Sequence, residues 1–245
     1  MNKPVALILA AGRGTRMQSS LPKVLHEVGD KTMIEMVYAA ASGAGFEPVV
    51  IVGHKKDLIK FILPDKTQFI DQDQQLGTGH AVMLAGDKIP HSGVVLVMPG
   101  DAPLISANTL KMLYKKHTGL CTILTSNIKK EEAKSSGYGR VVRDKNLIRE
   151  IVEASEATPE QLLITEFNTG FYIFDAAWLF SIAVPGLKPH PPNNEYYITD
   201  VIKLAAESEG LGGVLTSNRQ EVVGINDKKT LNSVREIIKN DRDRK

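Results

Sequence analysis

Three short apolar runs near the start of the chain constrain the fold more than any other feature of this sequence. They lie at residues 4–10, 48–52 and 94–98. None alternates polar and apolar residues, which is typical of parallel strands covered on both faces. Segments with helical spacing occur at 33–44, 57–63, 79–86 and 107–117. This alternation predicts an α/β fold with a mostly parallel sheet and helices on both faces.

The second half of the chain has more strands and fewer helices. Strands are predicted at 121–128, 138–143, 148–153, 166–174, 213–216 and 222–225. Helices are predicted at 176–183, 198–209 and 228–239, and loops at 129–137 and 185–194. We expect this half to complete the same sheet and to add a small lobe. Residues 1–245 then form one domain, with parts at about 1–120 and 121–228 and a C-terminal helix at 228–245.

Composition and charge exclude several classes of function. The 245 residues include 30 Lys and Arg against 28 Asp and Glu, a net charge of +2. This balance does not favour a nucleic-acid or membrane partner, so any anion site must be local. The single cysteine, Cys121, excludes an internal disulfide and a cysteine-based zinc site, and we expect a buried thiol. With neither a signal-peptide pattern nor an apolar run of membrane-spanning length, the sequence predicts a cytoplasmic protein.

The first predicted strand leads into a loop with two glycines and two arginines, residues 12–16 (GRGTR). It lacks the third glycine of the dinucleotide fingerprint and the Gly-Lys-Ser/Thr of a P-loop. Glycines still admit a ligand close to the backbone, and inward N–H groups bind anions. Arg13 and Arg16 can grip phosphate, and Lys23 follows soon after. We predict a phosphate site at this strand end; an ordinary turn with solvated arginines is the alternative.

Eight motifs in sequence order resemble those of the sugar-nucleotide pyrophosphorylases. They are LAAGRGTRM with LPK, QLGTGHA, GDAPL, GYGR, IVE, NTG, EYYITD and GIN. The pattern is most similar to N-acetylglucosamine-1-phosphate uridylyltransferases and spans nearly the whole chain. The resemblance implies a Rossmann-like fold of the nucleotide-diphospho-sugar transferase type, with nucleotide binding in 1–120 and a small sugar-binding lobe in 121–228. It also implies that the protein forms UDP-N-acetylglucosamine and pyrophosphate from UTP and N-acetylglucosamine 1-phosphate.

The same resemblance implies which residues bind the nucleotide. They are Leu9, Ala11, Gly12, Gly14, Thr15, Gln72, Gly77, Thr78 and Gly100. Arg16, Lys23 and Asp101 would carry the reaction, the first two by neutralising the triphosphate. The amide of Gln72 suits a uracil edge, because it can both donate and accept hydrogen bonds. We expect His80 to be structural.

A magnesium site is implied at Asp101 and Asn226. Asp101 follows a predicted strand, and Mg²⁺ typically takes one or two protein ligands together with phosphates and water. A capping or turn role is the alternative for Asp101. No serine, cysteine or histidine nucleophile is required, because the attacking phosphate oxygen is already an anion.

The sugar pocket is expected in the second half of the chain. By resemblance, its residues are Gly139, Glu153, Asn168, Thr169, Tyr196 and Thr199. Gly139 would offer a backbone N–H and Glu153 would accept from sugar hydroxyls. Tyr196 and Thr199 would line the acetyl side, with a capped helix start as the alternative interpretation of that segment.

Four residues depart from the family's pattern. Pro99 replaces a frequent aromatic, Asn194 stands where a loop commonly ends in glycine, and Asp227 replaces a frequent second asparagine. Ser155 lies near a position that is often lysine. The identity of the sugar is therefore predicted less firmly than that of the nucleotide. N-acetylgalactosamine 1-phosphate, glucose 1-phosphate and a non-catalytic sugar-nucleotide-binding module are the alternatives.

Bifunctional members of this family continue into hexapeptide repeats that carry an acetyltransferase and trimer contacts. No such repeat occurs in this sequence. We therefore expect no acetyltransferase, and either a stand-alone enzyme or a fragment of a longer one. The expected partners are small molecules, UTP and a sugar 1-phosphate, with no nucleic acid or membrane. We expect a monomer or weak homodimer.

Overall fold

The computed structural model describes residues 3–208 and 210–242 and has the predicted α/β fold. Nine of its strands form one sheet, and two form a separate hairpin. In chain order the strands are β1 Val5–Ala10, β2 Glu27–Val28, β3 Lys31–Thr32, β4 Glu47–Val52, β5 Gln68–Asp71, β6 Val94–Pro99, β7 Cys121–Asn127, β8 Arg140–Asp144, β9 Leu147–Val152, β10 Glu166–Asp175 and β11 Leu211–Leu215.

The helices vary from single turns to fifteen residues. They are α1 Met33–Gly43, α2 Lys56–Ile62, α3 Gly77–Met83, α4 Ala107–Lys115, α5 Lys130–Ala133, α6 Ala176–Trp178, α7 Ile198–Glu207 and α8 Lys228–Arg242. Thr32 caps α1 and forms a capping box with Glu35. Among the described residues, no helix is both long enough and apolar enough to cross a membrane.

The second half of the chain completes the sheet begun by the first half, as predicted. The strands run in the order β11-β7-β10-β6-β1-β4-β5. Four of the six pairings along this path are parallel, and β10 is antiparallel to both neighbours. The β8–β9 hairpin joins the sheet through β10, where Arg140 pairs with Phe167.

Helices cover both faces of the sheet, which explains why the β1 run is apolar throughout. Leu7 belongs to the core cluster that includes residues of α3 and α7. Its neighbour Ile8 belongs to the cluster that includes residues of α1, α2 and α4. Because successive strand side chains point to opposite faces, each face of β1 needs its own apolar partners.

A third cluster holds α8 against the loop after β1. It joins Met17 of that loop to Val28, Met33, Ile225, Leu231 and Val234. The first half of α8 therefore lies beside the predicted phosphate loop, although the two are far apart in sequence.

Several sequence-based boundaries were wrong. The predicted strand at 222–225 is instead a 3-10 turn, Arg219–Val222, followed by irregular chain. Val222 and Ile225 are both buried, each in a different core cluster. Because both are apolar, their sequence pattern resembled that of a strand. The predicted loop at 129–137 contains α5, and β5 and the β2–β3 hairpin were missed.

Two predicted helices reach positions that lie outside the described residues. The first was predicted to span 198–209, and α7 ends at Glu207, before the undescribed position 209. The second was predicted to span 228–245, and α8 is described as far as Arg242. Residues 1–2 and 243–245 of the predicted domain are likewise outside the description.

Candidate active site

A cavity of about 440 Å³ lies at the carboxyl ends of β1, β4 and β6. This is where open α/β sheets bind ligands, because the loops that leave the strands surround a common crevice. Eight of the predicted residues line it: Leu9, Ala11, Gly12, Lys23, Gln72, Gly77, Thr78 and Asp101. The structure thus brings most of the predicted nucleotide residues to one place.

The loop after β1 is shaped by Gly14. Its φ is +61°, in the left-handed region, and a β-carbon there would lie 2.7 Å from the β-carbon of Lys23. A side chain at this position would therefore displace Lys23. Thr15–Met17 then form a 3-10 turn, in which buried Met17 anchors the loop. Arg13 and Thr15 are exposed and do not line the cavity.

Gly100 lets the end of β6 approach β1. Its N–H donates to the Leu9 carbonyl at 3.0 Å, and a β-carbon on Gly100 would lie 2.9 Å from that same oxygen. Asp101 comes next in the chain, so the contact sets the position of its carboxylate at the cavity.

Four predicted polar side chains meet at one side of the cavity. Lys23 Nζ donates to the Asp101 carboxylate and, at 2.9 Å, to Asn226 Oδ1. Arg16 Nη2 donates to the same Asn226 oxygen at 3.2 Å. The side chains of Lys23 and Asp101 are each 17% exposed, so water screens their attraction less than at an open surface.

The backbone after β11 holds Asn226 in this cluster. The Ile225 N–H donates to the Asp101 carbonyl at 2.9 Å. Asp227 accepts from the Thr230 N–H at 2.7 Å at the start of α8, and that hydrogen bond lowers the pKa of Asp227. The residue that replaces the family's second asparagine therefore caps a helix.

The oxygens around Lys23 fit a divalent cation. The Asp101 carboxylate and the Asn226 amide oxygen are hydrogen-bonded to the same ammonium nitrogen, so both reach one position. Such hard oxygen donors suit Mg²⁺, which completes its shell with phosphate oxygens and water. The two predicted metal ligands are thus close enough to share one ion.

Gln72 is held from two sides where the chain leaves β5. Its backbone N–H donates to the Val52 carbonyl at 2.7 Å. Its side-chain nitrogen, Nε2, lies 3.0 Å from the Gly77 carbonyl and 3.1 Å from His80 Nδ1. Gln72 lines the cavity, although the residue is only 4% exposed.

The glycines of the 77–81 segment admit another part of the backbone. Gly77 has a φ of +91°, and a β-carbon there would lie 2.5 Å from the Tyr196 carbonyl oxygen. Gly79 donates its N–H to that oxygen at 2.7 Å. Thr78 Oγ1 accepts from the Ile198 N–H at 3.1 Å, at the start of α7. The QLGTGHA and EYYITD motifs therefore form one unit beside the cavity.

Three predicted sugar residues come together between β9 and α7. Thr199 Oγ1 lies 3.5 Å from Glu153 Oε1, and a β-carbon on Gly139 would lie 3.4 Å from Glu153 Oε2. Burial raises the pKa of Glu153, nearby Glu156 raises it further, and the Thr199 hydrogen bond lowers it. A half-buried carboxylate with few protein donors is well suited to accept from ligand hydroxyls.

Asn168 and Thr169 face opposite sides of β10. Asn168 is hydrogen-bonded to the Tyr172 hydroxyl, at 2.7 and 2.9 Å, and to the Gly170 N–H. Thr169 donates its hydroxyl to the Leu124 carbonyl at 2.6 Å and does not line the cavity. The other five predicted sugar residues do not line this cavity either. Tyr196 places its ring 6.4 Å from the His80 ring, between centroids.

Ten of the cavity-lining residues were not predicted from the sequence, and among them are three with polar or ionisable side chains, Gln75, Tyr172 and Glu195. Tyr172 shares a face of β10 with Asn168, because strand side chains repeat every second residue, and this alternation could have revealed it. Burial raises the pKa of its hydroxyl well above the ordinary value. Glu195 reaches the cavity through the long-range contact of its neighbour Tyr196 with Gly77, for which the sequence carries no local signal.

Comparison with known protein families finds one match over most of the chain. The model of the family described as "MobA-like NTP transferase domain" matches residues 6–213. The matched range contains all the cavity-lining residues.

The chain is also similar to curated proteins named "Bifunctional protein GlmU". That of Thermoanaerobacter pseudethanolicus is 41% identical over 241 residues, which cover 96% of this chain and 51% of that protein. That of Streptococcus mutans is 40% identical over 241 residues, with the same coverage of 96% and 51%. That of Carboxydothermus hydrogenoformans is 44% identical over 228 residues, covering 91% and 50%. The chain spans about half the length of the curated relatives it matches.

Proposed function

Since the chain belongs to the MobA-like NTP transferase family, we propose that it transfers UMP from UTP to a sugar 1-phosphate and releases pyrophosphate. The observation that carries this proposal is the contact of Lys23 with both Asp101 and Asn226 at the cavity. With Arg16, this cluster offers a polyphosphate two cations and one carboxylate–amide pair within a few ångströms of each other.

The proposed reaction needs no proton transfer. An oxygen of the sugar phosphate, already negatively charged, forms a bond to the α-phosphorus of UTP. The bond from that phosphorus to the bridging oxygen breaks, and pyrophosphate leaves with the electron pair. Catalysis then depends on holding the reactants in line and neutralising charge. Arg16 and Lys23 are the cations of the cluster that would do so.

Asp101 and Asn226 would hold Mg²⁺ in this reaction. When bound, Mg²⁺ would neutralise phosphate charge and orient the triphosphate. Lys23 would then exchange the Asp101 carboxylate for phosphate oxygens, since both partners compete for one ammonium group. The space beside Gly12 is open, because a β-carbon there would meet no protein atom within 4 Å. The triphosphate would approach the loop through this space.

We propose N-acetylglucosamine 1-phosphate as the acceptor, supported by the similarity to the GlmU proteins. Glu153 and Asn168 would accept from or donate to sugar hydroxyls, and Gly139 would contribute backbone N–H. Tyr196 and Thr199 would contact the acetamido group. We assign Thr169 instead to holding β10 against β7, because its hydroxyl donates to the Leu124 carbonyl.

The test is a panel of sugar 1-phosphates with UTP, CTP and dTTP in the presence of Mg²⁺, with pyrophosphate release as the measured quantity. We expect the highest kcat/KM for UTP with N-acetylglucosamine 1-phosphate. Glucose 1-phosphate should react at least about tenfold less efficiently, because a group that the site hydrogen-bonds is missing.

The panel separates the alternatives. A preference for glucose or N-acetylgalactosamine 1-phosphate would reject the acceptor and leave the reaction class in place. No pyrophosphate from any pair would contradict the proposed function and favour a binding module without catalysis.

A further inference from the structure

The side-chain amide of Gln72 is held in one orientation by two hydrogen bonds, and the part that His80 has in base selection rests on the proposed function. An amide NH₂ group donates two hydrogen bonds. Gln72 Nε2 uses both, one to the Gly77 carbonyl at 3.0 Å and one to His80 Nδ1 at 3.1 Å. A flipped amide would place Oε1 against the Gly77 carbonyl oxygen, which repels it, so the NH₂ group faces Gly77 and His80.

The same contact determines the state of His80. The NH₂ group of Gln72 offers only protons, so His80 Nδ1 must accept. The imidazole is then neutral and carries its proton on Nε2. His80 lies on α3, between Gly79 and Ala81, and its ring lies beside the ring of Tyr196. The helix and the Tyr196 segment therefore hold the acceptor in place.

We propose that His80 is the positioning residue through which this chain distinguishes uracil from cytosine. Because both amide protons of Gln72 are engaged, the atom that it can offer to a ligand in the cavity is the acceptor Oε1. Uracil presents the donor N3–H, which can pair with an acceptor. Cytosine presents the unprotonated N3, a second acceptor, which cannot.

The proposal predicts what happens when the acceptor at position 80 is removed. One amide proton of Gln72 then loses its partner, and only the Gly77 carbonyl still opposes a turn of the NH₂ group towards the cavity. A donor facing the base suits cytosine N3 and opposes uracil N3–H. Selectivity should therefore fall because UTP is used less efficiently, CTP more efficiently, or both.

The experiment compares His80→Leu with His80→Asn, using kcat/KM for UTP and for CTP. Asn is the matched control, because its Oδ1 occupies the position of Nδ1 on the side chain and can accept the same proton. We expect the UTP/CTP ratio to fall by about tenfold in His80→Leu, the scale of one hydrogen bond. It should stay within about twofold in His80→Asn. An unchanged ratio in His80→Leu, or an equal fall in both variants, would overturn the proposal.

A second measurement tests the geometry without any turnover. ¹⁵N NMR of the His80 ring in the ligand-free chain at pH 8 should show Nδ1 without a proton and Nε2 with one. A proton on Nδ1 would overturn the proposal even if His80→Leu does not fold. Failure of the proposed function looks different, because wild-type chain would then release no pyrophosphate from UTP while the His80 ring could still show the expected tautomer.

Discussion

Lys23 and Asn226 are separated by 203 positions in the sequence, and Lys23 Nζ donates to Asn226 Oδ1 at 2.9 Å. The same ammonium group is paired with Asp101. The loop after β1 and the segment before α8 are thus joined through one cation. Since Asp101 and Asn226 are also the proposed metal ligands, Lys23 and Mg²⁺ compete for the same oxygens.

Because of this competition, Lys23→Ala should lower the turnover rate but raise the affinity for a divalent metal ion. Turnover should fall on the order of 10²-fold, because a cation that neutralises the phosphates is lost. The ligand-free variant should bind Mn²⁺ more tightly than wild type, because Asp101 no longer has a counter-ion. Electron paramagnetic resonance measures the free Mn²⁺ directly, and Lys111→Ala, on an exposed side of α4, is the control. A variant that melts several degrees lower and keeps its turnover would show that Lys23 is structural.

Asp101→Asn should abolish most of the activity while the cavity stays in place. The carboxylate charge is lost, and the expected fall in kcat is on the order of 10²-fold or more. Asp87→Asn changes an exposed carboxylate and should leave kcat unchanged. Equal kcat in Asp101→Asn and wild type would remove Asp101 from the proposed mechanism.

Two glycines of the cavity should respond differently to a methyl group. Gly77→Ala would place a β-carbon 2.5 Å from the Tyr196 carbonyl oxygen at a φ of +91°, and should destabilise the fold by about 1–3 kcal/mol. Gly12→Ala meets no protein atom within 4 Å, and its free energy of unfolding should change by less than about 0.5 kcal/mol. Its KM for UTP should rise, because the methyl group enters the ligand's space. Denaturant unfolding and steady-state kinetics measure both; loss of stability in Gly12→Ala with unchanged KM would contradict this assignment.

Glu153→Gln should make the fold more stable at neutral pH but not in acid. Burial raises the pKa of Glu153 in the folded chain, so the folded state binds more protons than the unfolded state between the two pKa values. This contribution to stability is fully present below the unfolded pKa and is lost as pH rises through the folded pKa. The glutamine variant stays neutral at every pH, so it does not lose this contribution to stability. The difference in free energy of unfolding between variant and wild type should therefore grow from pH 3 to pH 7. Exposed Glu47→Gln is the control, and a pH-independent difference would contradict the assignment.

The local sequence pattern was enough to predict the architecture of the fold. The uninterrupted apolar runs of β1, β4 and β6 require cover on both faces, which already implies a sheet between two helix layers. The segment 222–225 shows the limit of this reasoning. Val222 and Ile225 are as apolar as strand residues, but the Ile225 N–H bonds the Asp101 carbonyl instead of a neighbouring strand.

The site could be predicted only in part. The motifs that resemble the family named Lys23, Asp101 and Asn226, which the structure brings together. They did not reveal that Gly77 makes room for the Tyr196 backbone, or that Gln72 is held by His80. Such contacts depend on how distant segments fold onto each other, and residue spacing carries no information about them.

One measurement tests the central claim most directly. ³¹P NMR of the chain with UTP and N-acetylglucosamine 1-phosphate follows both products at once. With Mg²⁺, signals of a nucleotide diphosphate sugar and of pyrophosphate should grow in equal amounts; both should stop in excess EDTA and resume when Mg²⁺ is restored. Full turnover in EDTA would contradict the role given to Asp101 and Asn226, and the absence of both products with Mg²⁺ would contradict the proposed transfer itself.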